Sequence, residues 1–363
     1  MKVQFFNLDK INSLIKNDIL NIVSEIIDNS SFVEGKFTRQ FEEQFAEFCG
    51  AKYCVAVNNG TSALHLATKV AFKSWTKDVA VPPNSFFATA ESLEYEGFRP
   101  LFVDVDVNFN LSTDGLEKYK NQYDNVVTVS LYGNPCNLSK IKSLCDHYDK
   151  GLVHDACQAH GALHKNLPIS NYCELTCFSF YPSKNLGTFG EGGAIVTNNY
   201  EYYKTLMSLK NHGQIERYKH DLIGYNYRLN EIQAAVLVTK LKYLNEWTEE
   251  RINIAKRYDN NLSGSKARVL KVNEDDKCVY HLYPIFIEEK KKLLELFNQN
   301  EIGYGFHYPI PIYDQAPYQM SHYIDKNNFP NTELSKNQQI SLPLYIGMTN
   351  EEVDIVSETI NKL

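Results

Sequence analysis

The sequence predicts an α/β protein: a large domain whose mostly parallel sheet is sandwiched by helices, followed by a smaller α+β domain. From about residue 50, short apolar segments alternate with helix-like segments, which is the pattern of consecutive strand–helix units. The stretch Leu262-Ser263-Gly264-Ser265 is typical of a helix end and linker, and lysine and glutamate become more frequent after it. We therefore predict an N-terminal helix and large domain over residues 1–245, and a small domain over residues 246–363.

The elements follow from hydrophobic spacing. Apolar residues recur every three or four positions over residues 9–28, behind Asp9 as a candidate cap, and predict an N-terminal helix. A second apolar stripe predicts one long helix over residues 229–260. The predicted strands are 53–57, 79–81, 101–105, 126–131, 152–154, 194–197 and 279–287, and the other predicted helices are 61–72, 86–95, 138–147 and 290–298.

Composition narrows the classes of function. The formal net charge is −7, which argues against non-specific nucleic-acid binding. No run of apolar residues is long enough for a membrane span, and no charged leader precedes an apolar run. The eight scattered cysteines form no C-x-x-C pair, so we expect reduced thiols in a cytoplasmic protein.

Lys184 is the most informative residue. It follows the apolar run at Phe178–Phe180 and opens into a glycine-rich segment, so the sequence predicts a lysine at the end of a buried strand. Desolvation lowers the pKa of an ammonium there, and a lysine with a lowered pKa is a nucleophile for carbonyl groups. A solvated lysine in a surface loop is the alternative. The glycines lack the spacing of a dinucleotide fingerprint and lead into a strand, so NAD binding is not expected.

Asp155 and Gln158 follow the predicted strand at 152–154. A carboxylate that holds a pyridinium proton, together with a lysine that forms a Schiff base, is what pyridoxal 5′-phosphate (PLP) requires of a protein. A metal site at His160 and His164 is the rival interpretation, since histidines four residues apart suit a metal on a helix. Gly161 lies between them and weakens that helix, so we predict no metal.

Two further stretches lie at predicted strand ends. In Asn59-Gly60-Thr61-Ser62 a strand turns into a helix, and the free N–H groups of its first turn make an anion site, although an ordinary capped helix has the same residues. Phe86 follows another strand at the edge where ligands bind in open α/β sheets, and it would otherwise be a core residue. So many features of a cofactor site would not come together at strand ends of one domain by chance.

With these residues in place, the chain resembles the DegT/DnrJ/EryC1/StrS family of PLP-dependent sugar aminotransferases, which have the PLP-dependent transferase fold type I. The resemblance spans essentially the whole chain, and the block around Lys184 is its most specific part. His154 and Cys157 depart from the usual pattern without touching an implied role. The matching stretches are 59–64, 102–106, 131–133, 154–162, 178–187, 211–213, 224–229 and 307–309.

The resemblance implies a role for each matching residue. Lys184 would form the Schiff base and move the proton, while Asp155 would keep the pyridine nitrogen protonated and Gln158 would bind the phenolic oxygen. Phe86 would stack on the cofactor ring. Asn226 would reach the phosphate of the neighbouring subunit's cofactor, which implies a homodimer with active sites at the subunit interface. The residues implied to hold the phosphate are Gly60, Thr61, Ser62 and Ser179.

The family implies the substrates. It mostly aminates keto sugars carried on nucleotide diphosphates, for polysaccharide or glycoside biosynthesis, with L-glutamate as donor and 2-oxoglutarate as its product. His307, Tyr308 and Tyr181 are similar to residues that lie beside the sugar in members acting on a 3-keto-6-deoxyhexose, which we favour. A loop packed against the core is the alternative for His307 and Tyr308.

Three alternatives stay open. The stretch at 59–62 is as typical of enzymes that act on a 4-keto sugar. A PLP dehydratase shares the fold but carries histidine where this chain has Lys184. A non-catalytic PLP-binding regulatory protein belongs to another class, and the full set of chemical residues argues against it.

Overall fold

The alternating segments form a seven-stranded sheet in the computed structural model, which describes residues 2–73, 75–319 and 326–363. The strands are β1 Tyr53–Val57, β2 Asp78–Val81, β3 Arg99–Phe102, β4 Asn125–Val129, β5 Gly151–Asp155, β6 Leu163–His164, β7 Leu167–Pro168, β8 Leu175–Ser179, β9 Gly193–Thr197, β10 Gln214–Glu216, β11 Lys219–His220, β12 Arg268–Val269, β13 Tyr283–Phe286 and β14 Gln339–Leu342. The α-helices are α1 Asp9–Asp28, α2 Lys36–Phe48, α3 Gly60–Ala71, α4 Ala88–Glu94, α5 Thr113–Lys118, α6 Leu138–His147, α7 Tyr200–Leu209, α8 Glu231–Leu241, α9 Leu244–Asn261, α10 Lys290–Gln299, α11 Ala316–Gln319, α12 Pro330–Gln338 and α13 Asn350–Ile360.

The order of the large sheet is β1-β9-β8-β5-β4-β2-β3. The pairs from β8 to β3 are parallel, and β9 runs antiparallel to both of its neighbours. Because parallel strands end at the same edge, the carboxyl ends of β2, β4, β5 and β8 lie together. Asp155 pairs in register with Val129 on one side and Cys177 on the other, so the end of β5 lies in the middle of that edge.

Both faces of this sheet are covered, as the predicted fold requires. Successive residues of one strand enter different cores: Ala56 and Ala80 pack on the side of α2 and α8, whereas Val57 and Val81 pack on the side of α3 and α7. Such alternation follows from the period of two in a strand. The α/β sandwich with a mostly parallel sheet is thereby confirmed.

The C-terminal part has its own core around the antiparallel sheet β12-β13-β14. Tyr258, Phe297 and Val356 bring α9, α10 and α13 onto it. Val3, which is fully buried, joins this core and forms a parallel bridge with Ile302. The predicted boundary between residues 245 and 246 stays a prediction.

Three expectations about elements were wrong in detail. The helix over 9–28 is confirmed, but Asp9 is its first residue rather than its cap, and the Asp9 N–H donates to the Asn7 side chain at 2.6 Å. The helix predicted over 229–260 is two helices, because the Tyr243 N–H bonds to the Lys240 carbonyl in a tightened last turn before α9 starts. The strand predicted from 279 begins at 283, since the Val279 N–H bonds to Gly133 of the large domain instead.

All eight cysteines carry free thiols, in agreement with the sequence. Across residues 2–73, 75–319 and 326–363, no helix has both the length and the apolar character needed to cross a lipid bilayer.

Candidate active site

The predicted site residues come from consecutive segments that meet at the carboxyl edge of the sheet. Asp155 is the last residue of β5 and Ser179 is the last residue of β8. Gly60 begins α3, Phe86 precedes α4, and Lys184 lies in the loop between β8 and β9. The edge predicted from strand order therefore carries residues that are far apart in sequence.

Lys184 lies in a tight loop and is partly buried. Its backbone N–H donates to the Tyr181 carbonyl at 2.8 Å. Burial lowers the pKa of the Lys184 ammonium, against the opposing effect of the nearby Cys157 thiol and Asp155 carboxylate. No ion pair to Lys184 is formed within the described part of the chain, and the effect of desolvation is larger than that of these two groups. The lowered pKa increases the share of the neutral amine, which is the form that attacks a carbonyl group.

The Asp155 carboxylate is buried and held on both oxygens. Oδ2 accepts from the Thr89 hydroxyl at 2.8 Å, and Oδ1 accepts from the Cys157 N–H at 3.1 Å. Because the Thr89 hydroxyl donates to Asp155, it accepts from the Ser85 hydroxyl, 2.7 Å away. The carboxylate is thus fixed in orientation, as a partner for a protonated ring nitrogen must be.

A cradle of small and hydroxyl residues forms where α3 begins beside Ser179. A Cβ on Gly60 would lie 2.7 Å from the Ser179 Cβ, so only glycine permits this approach. The Asn59 side chain accepts from the Ser62 N–H at 2.7 Å and caps the helix. The Thr61 N–H and the hydroxyls of Thr61, Ser62 and Ser179 are the donors that a phosphate can use there, with the helix dipole in its favour. The cradle therefore fits the phosphate of PLP.

The small domain reaches the same edge through His307 and Tyr308. The Gln158 Nε2 donates to the Tyr308 hydroxyl at 3.1 Å, and the Gln158 Oε1 accepts from the Tyr132 N–H at 2.7 Å. The Tyr132 hydroxyl in turn donates to the His307 carbonyl at 2.6 Å. The Phe86 ring, more than half exposed, lies 5.8 Å from the Tyr308 ring. Tyr308 also packs against the core cluster that contains Tyr132, so the loop alternative for His307 and Tyr308 stays open.

His307 is a neutral imidazole in this setting. Its Nδ1 lies 2.9 Å from the Ser341 hydroxyl, and burial, with a smaller effect of Lys184, lowers its pKa to about 4. Burial raises the pKa of the Tyr308 phenol. Both side chains are therefore uncharged hydrogen-bonding groups at neutral pH.

Two of the predicted site residues lie at the edge of the site, away from Asp155. Tyr181 is half exposed where the Lys184 loop begins. Asn226 is exposed, and its Oδ1 accepts from the Arg228 guanidinium at 2.8 and 3.2 Å, so the hydrogen bonds described for this side chain stay in its own loop. The structure of one chain does not bring Asn226 into the set of residues around Asp155.

The rival metal pair has other partners. The His160 Nε2 lies 2.9 Å from the Ser179 carbonyl, and His164 lies between Asp276 at 2.8 Å and Ser139 at 3.0 Å. Within the described residues, no group of three or more histidine, cysteine or acidic side chains could hold a metal ion.

Sequence reasoning missed Thr89 and Tyr132, which orient Asp155 and Gln158. Thr89 follows Ser85 by one helical turn, and that spacing was the available signal. Tyr132 has a positive φ of 62°, which the sequence alone does not reveal. It carried no assigned role in the stretch 131–133.

Comparison with known proteins identifies the family of this chain. Residues 13–361 match the sequence model of the DegT/DnrJ/EryC1/StrS aminotransferase family. The chain belongs to that family.

A relative of this aminotransferase in Aneurinibacillus thermoaerophilus, the dTDP-3-amino-3,6-dideoxy-α-D-galactopyranose transaminase, is 32% identical over 99% of both chains. The crystal structure of S. venezuelae DesV in complex with a ketimine intermediate superposes with a TM-score of 0.96 at 28% identity, over 99% of this chain and 98% of DesV. The structure of NtdA from Bacillus subtilis with bound cofactor PMP gives a TM-score of 0.91 at 28% identity, over 99% and 84%.

The predictions of the family, of fold type I and of a PLP-dependent aminotransferase are confirmed. The roles of the individual site residues stay predictions, supported by the contacts above.

Proposed function

We propose that this aminotransferase moves an amino group from L-glutamate to a keto sugar carried on a nucleotide diphosphate. The observation that carries the proposal is one sheet edge that combines the desolvated amine of Lys184, the fixed carboxylate of Asp155 and the cradle at Gly60. The relative from Aneurinibacillus thermoaerophilus, which is named as a transaminase of a dTDP-linked amino sugar, supports the substrate class.

When bound, PLP supplies an electron sink that stabilises negative charge on the carbon attached to the transferred nitrogen. Lys184 would hold the cofactor through its side-chain amine, and its Nζ would carry the proton that the transfer moves. Asp155 would accept a hydrogen bond from the ring nitrogen and would keep the proton on that nitrogen. Its two donors, Thr89 and Cys157, prevent it from turning away.

The remaining residues orient the cofactor. Gly60, Thr61, Ser62 and Ser179 would hold the phosphate. Gln158 would donate to the phenolic oxygen, and Phe86 would cover one ring face. The second N–H of the Gln158 amide is available for that oxygen, since the first donates to Tyr308.

We favour a 3-keto-6-deoxyhexose as the acceptor sugar, with a 4-keto sugar as the alternative. His307, Tyr308 and Tyr181 lie around the Lys184 loop as uncharged or exposed groups that can donate to sugar hydroxyls. The 3-amino sugar in the name of the Aneurinibacillus relative supports position 3. Incubation with glutamate and dTDP-, UDP- and GDP-linked keto sugars, with NMR placement of the new nitrogen, tests this choice. Nitrogen at C4 selects the alternative.

The working form is proposed to be a homodimer in which Asn226 reaches the neighbouring subunit's cradle. Thr61 and Ser62 line an open cavity of about 510 Å³, so the cradle is accessible from outside the subunit. The segment before Asn226 exposes apolar side chains, Tyr218 and Ile223, which a second subunit can cover.

Borohydride reduction tests the assignment of Lys184. Reduction of the cofactor-loaded protein should fix the pyridoxyl group to the peptide that contains residue 184, as seen by mass spectrometry. The Lys240→Arg protein is the matched control, because it keeps Lys184 and removes another buried lysine. An unmodified residue-184 peptide in protein shown to be loaded contradicts the assignment. In a separate sample of loaded, unreduced protein, no change in the cofactor's absorption on addition of glutamate would mean that the protein binds PLP without transamination.

A further inference from the structure

Lys240 is a buried cation without an acidic partner. It lies in α8, is 2% exposed, and takes part in no ion pair with any described residue. Its Nζ donates to the Gly187 carbonyl at 2.6 Å and lies 4.9 Å from the Phe189 ring centroid. Burial lowers the pKa of its ammonium to about 8. Burial of an ammonium without an acidic partner is costly, so Lys240 is not explained by packing alone.

The carbonyl that Lys240 holds belongs to the loop of Lys184. Gly187 closes this loop, because a Cβ there would lie 2.3 Å from the Pro182 carbonyl oxygen. Inside the loop, the Lys184 N–H donates to the Tyr181 carbonyl at 2.8 Å. The position of the Gly187 carbonyl and the position of the Lys184 backbone are therefore linked through a few rigid atoms.

The same helix holds the loop at a second point. The Thr188 hydroxyl, 2.7 Å from the Gln233 Oε1, is in contact with α8, and the Thr188 N–H closes onto the Phe180 carbonyl at 2.8 Å. On the far side, the Asn185 Nδ2 donates to the Val279 carbonyl at 2.9 Å. Of these anchors, the bond from Lys240 is charge-assisted and the others are neutral, and charge-assisted bonds are the stronger kind.

We propose that Lys240 is a positioning residue for Lys184, and that its bond to the Gly187 carbonyl fixes the loop from which the Lys184 amine is presented. This inference rests on the proposed role of Lys184. Removing the bond should loosen residues 181–188 and expose the Lys184 amine to water, while leaving the cofactor contacts of Asp155 and Gly60 in place.

Hydrogen exchange in the cofactor-free protein tests whether Lys240 holds the loop over residues 181–188 in place. In Lys240→Met, the amides of Lys184 and Thr188 should exchange about tenfold faster, because local opening of the loop costs less. Lys240→Arg, which keeps a cation and a donor, should restore most of the protection. Lys242→Met removes an exposed lysine at the end of the same helix and should leave exchange unchanged.

The absorption of the lysine-bound cofactor tests the link to Lys184. Its titration midpoint in Lys240→Met should rise by about half a pH unit or more, because the Lys184 nitrogen, now bonded to the cofactor, would be more exposed to water and its protonated form less disfavoured. The glutamate half-reaction should slow roughly tenfold through mispositioning. If Lys240→Met does not fold, Lys240→Gln replaces it.

Unchanged exchange at Lys184 and Thr188 overturns the proposal, and so does faster exchange with an unmoved titration midpoint. Failure of the proposed role of Lys184 is recognised separately, by the borohydride experiment on the unsubstituted protein.

Discussion

Replacing Gly60 by alanine tests the cradle directly, because the structure sets the size of the conflict. The new Cβ would lie 2.7 Å from the Ser179 Cβ, 3.1 Å from its Oγ and 3.3 Å from the Cys157 Sγ. Overpacking of this kind costs about 1–3 kcal/mol. Alanine in place of glycine at a helix start returns less than about 1 kcal/mol. The conflict wins, and α3 must move away from Ser179.

We expect the Kd for PLP, measured by absorbance titration of cofactor-free protein, to rise about five- to a hundredfold, since 1.4 kcal/mol corresponds to a factor of ten. The cofactor-free protein contains the same conflicting atoms, so its thermal unfolding temperature should also fall, by roughly a few degrees. Gly192→Ala, whose Cβ meets neighbours no closer than 3.3 Å, is the control. In the double variant Gly60→Ala with Ser179→Gly, the atom nearest to the new Cβ is gone, but so is a hydroxyl that can donate to the phosphate. The double variant should therefore relieve the steric conflict without restoring the affinity for PLP. A Kd within twofold of the unsubstituted protein would refute the cradle.

Three other predictions follow from the same site and core. Asp155→Asn should retain PLP but slow the glutamate-dependent absorption change at least about a hundredfold, because a neutral amide cannot hold the ring proton. Asp146→Asn, at an exposed position, is the control. An unchanged rate in Asp155→Asn speaks against Asp155 as the partner of the ring nitrogen. When Lys184→Ala subunits and Asn226→Asp subunits are mixed and refolded together, activity should return. One of the two sites in each mixed dimer then has an intact Lys184 from one subunit and an intact Asn226 from the other. No recovery means that Asn226 acts within its own subunit. His154 has a pKa lowered to about 3 by burial, so the unfolded state binds its proton first as pH falls below about 6.5. Between pH 6.5 and 4, His154 should therefore lower the free energy of unfolding by about 1.4 kcal/mol for each pH unit of acidification. In His154→Gln, the free energy of unfolding measured with denaturant should depend less steeply on pH over this range. An equally steep dependence contradicts a neutral, buried His154.

The positions of the reactive residues along the chain could be predicted because each of them follows an apolar strand. Asp155 and Ser179 each end a strand in the structure, as β5 and β8. Parallel strands bring their carboxyl ends to one edge whatever the details of packing, so alternation alone was enough to gather these residues. The family resemblance then supplied roles that the spacing could not.

Contacts between distant segments could not be predicted in the same way. Nothing in the local pattern shows that Tyr132 donates its N–H to Gln158, or that Lys240 reaches the carbonyl of Gly187. The break between α8 and α9 was also missed, because apolar residues continue on both sides of Tyr243 and keep the helical period.

The sequence by itself determined the sheet-and-helix order, the two faces of each strand and the identity of the reactive side chains, since these depend on periodicity and residue chemistry within a short window. Only the tertiary structure decided the pKa of Lys184, the orientation of Asp155 and the approach of Gly60 to Ser179. Desolvation, hydrogen-bond partners and steric contact all come from residues distant in the chain, so they exist only once the chain has folded.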